Sequence, residues 1–76
     1  MATGEGRSAK QQVVTLALRW LENQDFSRRK RWADRAEQLG VEVGPASTAP
    51  TNLKKWVPAI AATLVAEEGL APPPPV

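Results

Sequence analysis

Residues 35–57, RAEQLGVEVGPASTAPTNLKKWV, decide how this chain folds. Ala36 and Leu39 share one helical face, and Gly40 follows at once. A glycine there supplies the left-handed backbone that closes a helix, with Val41 placed to touch back on Ala36. Residues 41–50, VEVGPASTAP, then hold too much Gly and Pro to continue helically. Pro50 and Thr51 introduce a new helix at TNLKKW. A helix stop, a long loop and a helix start thus lie within one short stretch.

Upstream, Trp32, Ala36 and Leu39 fall on one face of a helix that Asp25 or Ser27 can cap. Before it, the spacing predicts a first helix over 9–23, opened by a Ser8–Gln11 capping box. Val13, Val14, Leu16, Ala17, Leu18, Trp20 and Leu21 cover more than half its circumference. A helix so widely apolar is a central core element, or lends part of its surface to a partner.

Downstream, Leu53, Trp56, Val57, Ile60, Ala61, Leu64 and Val65 keep helical period straight through Pro58. Proline removes a hydrogen bond to Lys54 and clashes with that turn. The expectation is one kinked helix over 52–68, or two short helices meeting near Trp56. Gly69 stops it. Glu67 and Glu68 sit at the wrong pole of the helix dipole.

The predicted fold is therefore all-α: a compact three-helix bundle, with a long loop between helices 2 and 3 and a Pro-kinked third helix. Its expected core is Leu18, Trp20, Trp32, Leu39, Trp56, Ile60 and Leu64, the three tryptophans pinning the helices together. Residues 1–7 are expected to be a flexible arm, 8–70 the helical domain, and 71–76 (APPPPV) a Pro-rich tail or linker stub.

The composition removes whole classes of function. The chain has 76 residues, no Cys and no His, which excludes disulfides, thiolate chemistry and imidazole catalysis. Its carboxylates show no metal-ligand spacing, its hydroxyls lack an activating base, and no glycine-rich phosphate loop occurs. No enzyme, cofactor, metal or small-molecule substrate is expected. No apolar run approaches the ~18 residues of a membrane span, so a cytoplasmic protein without a membrane partner is expected.

The net charge is only +2, yet residues 28–35 (RRKRWADR) hold five bases and one acid. Arg28, Arg31 and Arg35 line up at helical spacing beside the core face; Lys30 lies well around the helix from them. Such a ridge is either a solvated helix surface or an anion-binding face.

Ala33 and Ala36, then Leu39-Gly40-Val41, then TNLKKWV at 51–57, resemble the helix-turn-helix domains of bacterial repressors and transposases. A fainter resemblance, through Trp32-Ala33, Gly40, Glu42-Val43 and Pro50, is to the DNA-binding tails of actinobacterial H-NS-like silencers. Both resemblances imply duplex DNA as partner. Arg28, Arg29, Lys30, Arg31 and Arg35 would then contact phosphates, with Asn52, Lys54 and Lys55 nearest the bases. The segment between the helices is longer than the usual three- or four-residue turn. The alternative is a helical docking or adaptor module that binds a partner protein helix through helix 1 or the uncharged alanine face of helix 3.

Overall fold

The computed structural model describes residues 9–70, and within them the chain is all-helical. α1 spans Ala9–Glu22, α2 Phe26–Gln38, a 3-10 helix Pro50–Lys55, and α3 Val57–Glu68. The expected Ser8 cap lies outside the described residues.

Each boundary has a local cause. At the end of α1, Asn23 donates from its side chain to the Arg19 carbonyl (2.8 Å) and Gln24 to that of Trp20 (3.1 Å). The Asn23 amide satisfies a carbonyl at the helix end, and that of Gln24 adds a second donor to the Trp20 carbonyl, which also accepts the Asn23 backbone N–H at 3.2 Å. Asp25 caps α2: its backbone is extended, and its carboxylate accepts the Arg28 N–H at 3.0 Å. At the other end Gly40 takes φ +86°. Its N–H reaches the Glu37 carbonyl (3.0 Å) while that of Val41 reaches Ala36 (2.9 Å), the paired bonds of a Schellman motif. Gly69 ends α3 in the same way, with the Leu70 N–H on the Val65 carbonyl at 3.0 Å.

At Pro58 the structure takes the second of the two expected arrangements. The chain winds as a 3-10 helix to Lys55, breaks at Trp56, and restarts as α3 at Val57. Pro58 thereby falls in the first turn of α3, where a backbone N–H has no helical partner to lose. The break removes the clash that a continuous kinked helix would carry.

α1 and α3 form the main helix pair. Their N-terminal turns line one groove, and Arg28 touches the C-terminal end of both, so the two run side by side in the same direction. α2 packs against the C-terminal end of α3. The core comprises Ala17 and Leu21 of α1, Trp32, Ala33 and Ala36 of α2, Val43, Leu53, Trp56, and Val57, Ile60, Ala61, Leu64 and Val65 of α3. Leu21, Leu53 and Leu64 are wholly enclosed, each contributing about 1.5–3 kcal/mol of transfer free energy.

The expected core is corrected at three positions. Leu39 is 43% exposed because it caps α2 beyond the last helical turn. Leu18 and Trp20 are half-buried, since α1 points Ala17 and Leu21 inward and these two flank that line. Of the tryptophans, Trp32 and Trp56 are enclosed and Trp20 packs on the core from outside.

The loop from Val41 to Ala49 has no regular structure but is fastened along its second half. Three side chains donate to three successive carbonyls: Asn52 to Ala46 (2.9 Å), the Trp56 indole to Ser47 (3.0 Å), and Arg29 Nε to Thr48 (2.8 Å). Val43 tucks into the core, and Val41 is half-buried. Ala46 takes φ +53°, a strained conformation for a residue with a Cβ.

Candidate functional site

The candidate phosphate-binding residues all lie on α2, and the structure separates them by what each guanidinium or ammonium meets. Arg28, Arg31 and Arg35 stand at i, i+3 and i+7 and line an open cleft of about 490 Å³ with Trp32, Asp34, Gln38, Glu67 and Glu68. Arg28 Nη1 pairs with Glu68 Oε1 at 3.2 Å, and its guanidinium carbon lies 5.8 Å from the centroid of the Trp20 ring. The second oxygen of Glu68 accepts the Trp32 indole N–H at 2.7 Å. Arg35 Nη2 meets Glu67 Oε2 at 2.6 Å. That hydrogen bond, and the charge behind it, raise the Arg35 pKa above its ordinary value.

Arg31 is exposed and makes no hydrogen bond or ion pair among the described residues. Lys30 points elsewhere, to Asp34 one turn on at 2.8 Å, and this contact raises its pKa. Arg29 serves the fold: besides the Thr48 carbonyl, its Nη1 donates to the Gln24 carbonyl. It ties the α1–α2 turn to the long loop.

The candidate base-facing residues lie elsewhere. Asn52, Lys54 and Lys55 belong to the 3-10 helix, before the start of α3, whereas the arginine cleft lies at its end. α3 between the cleft and the 3-10 helix is about 18 Å long, but Arg29 and Asn52 hold loop carbonyls only two residues apart. The Asn52 side-chain amide donates to the loop, while Lys54 and Lys55 are exposed and take no partner among the described residues.

A second surface is apolar. Ala9, Lys10, Val13 and Val14 of α1 face Pro58, Ala59, Ala61 and Ala62 of α3 across a groove of about 410 Å³. No charged residue occurs in α3 from Val57 to Ala66, and Ala59, Ala62 and Ala66 on its outer side are exposed. The sequence points to both surfaces, but not to the contacts of Glu67 and Glu68. Their placement against the helix dipole is the local signal that they serve something other than α3 itself.

Among the described residues no group of three or more His, Cys, Asp or Glu is placed to hold a metal ion, and no helix is long and apolar enough to cross a membrane. Compared with models of known protein families, with curated proteins and with solved structures, the chain gives no match. The functional reading therefore rests on geometry and charge.

Proposed function

We propose that this chain is a small duplex-DNA-binding domain that holds the phosphate backbone through α2. The observation that supports it most is the row of Arg28, Arg31 and Arg35 along one open cleft, with Arg31 unpaired among the described residues. Guanidinium groups suit phosphates by their fork of donors. Lys54 and Lys55 add two exposed cations at the far end of α3. With Asn52 turned to the loop, the affinity is phosphate-led and carries little base readout.

Fluorescence anisotropy with a mixed-sequence duplex tests this. Three phosphate contacts give a slope of log K against log salt near −2.7, hence about 40-fold weaker binding at 200 than at 50 mM salt. Arg31→Glu with Arg35→Glu should abolish binding. No anisotropy change at ~50 mM salt with protein in the range of ~10⁻⁴ M would end the proposal.

A second reading is favoured by the groove between α1 and α3, whose lining is small and apolar apart from Lys10 at its edge and suits a partner protein's helix. That binding would ignore the Arg31 and Arg35 reversals and be blocked by Ala62→Arg. Helical peptides selected by display on the wild-type protein should then fail on Ala62→Arg; peptides that bind both equally would discard it.

A further inference from the structure

The arginine cleft contains its own competitors for phosphate. Glu68 has a structural reason to be there, because the enclosed Trp32 indole needs an acceptor and Glu68 provides it. Glu67 has none of that kind. Its side chain is 44% exposed, its partner Arg35 is 38% exposed, and exposed ion pairs contribute little to stability. It also carries negative charge at the negative end of the α3 dipole, where a carboxylate is unfavourable. The sequence thus places an acid where the helix loses and the fold gains little, and that acid's carboxylate lies directly on a cleft arginine.

We propose that Glu67, with Glu68 behind it, masks the arginine ridge of α2: their carboxylates occupy Arg35 and Arg28 as DNA phosphates would, so that duplex binding must displace them. The inference rests on the duplex-binding proposal above and adds its regulation. With both glutamates in place, Arg31 is the one ridge arginine free of a partner among the described residues, and the first phosphate docks there. Arg35 is next to exchange, because its pair is open to solvent on both sides. Arg28 is last, since Glu68 is also fixed by the Trp32 indole and is only 20% exposed.

The test is the anisotropy titration repeated with Glu67→Gln and with Glu67→Gln/Glu68→Gln. Glutamine at 68 keeps a carbonyl oxygen for the Trp32 N–H, so the double variant retains that contact while losing the charge. Matched thermal melts establish that both variants fold. At ~50 mM salt Glu67→Gln should bind duplex about two- to fivefold more tightly, and the double variant about ten- to twentyfold. The salt slope counts the phosphates neutralised in the complex, so it should stay near −2.7 in all three proteins, since every ridge arginine reaches phosphate once the glutamates are displaced. If wild type and both variants bind duplex with equal affinity, masking is overturned while DNA binding stands. If none binds at low salt, the functional proposal itself falls. Tighter binding of single-stranded RNA than of duplex by the double variant would overturn the assignment to DNA.

Discussion

Glu68→Ala isolates the contact that joins α2 to α3. The substitution leaves the Trp32 indole N–H without an acceptor in a side chain that is 4% exposed, at a cost of about 1–3 kcal/mol. Loss of the Arg28 pair adds at most about 1 kcal/mol, because the guanidinium is 38% exposed and water screens it. Removing a carboxylate from the last turn of α3 returns about 0.3–1 kcal/mol. The net loss is about 1–2 kcal/mol, a large share of the ~3–5 kcal/mol that a domain this small holds. In a thermal melt this is a drop of about 5–15 °C. Glu67→Ala is the control: it breaks a pair exposed on both sides, and should stay within about 0.5 kcal/mol. Urea unfolding of wild type, Glu68→Ala, Trp32→Phe and the double variant gives the coupling directly, and about 1 kcal/mol is expected. Equal effects of Glu67→Ala and Glu68→Ala, or a coupling near zero, would refute the claim that the indole anchors α3 on α2.

Other positions give sharper signs than sizes. Gly40→Val forces a β-branched residue into φ +86° and should cost about 1–2 kcal/mol or more, measured as a lower urea midpoint at unchanged slope. Ala46→Gly relieves a positive φ, so it should be neutral or stabilising by up to about 1 kcal/mol, although glycine ordinarily weakens a chain. Leu53→Ala empties a fully enclosed site at a cost of about 2–5 kcal/mol, which exhausts most of the stability; a collapsed amide spectrum at 25 °C should show it.

The helix ends were legible because their causes are local. Asp25, Gly40 and Gly69 each act through bonds to residues a few positions away. The break at Trp56 was legible only as one of two options, because Leu53, Trp56, Val57 and Ile60 keep an apolar face inward whether the chain kinks or restarts. Leu39 misled because helical period continues past a helix's last turn on paper and not in space. The surroundings of the arginines were not legible. Side-chain partners of Arg28, Arg29 and Arg35 lie 40, 19 and 32 residues away, and no spacing rule on α2 reports what α3 or the loop will bring to it. Glu67 and Glu68 were visible as a violation of the dipole preference, and the structure supplies their partners.

The fastening of the loop has a practical consequence for anyone who builds on this scaffold. Donors from α2, from the 3-10 helix and from Trp56 each seize a different carbonyl between Ala46 and Thr48. Lengthening the chain there would pull three separate elements out of register together. Gly44 and Pro45, just before, are exposed, and no side chain donates to their carbonyls among the described residues. An inserted epitope, a dye-labelling cysteine or a fused domain therefore belongs between those two residues, where the polypeptide has slack to spare.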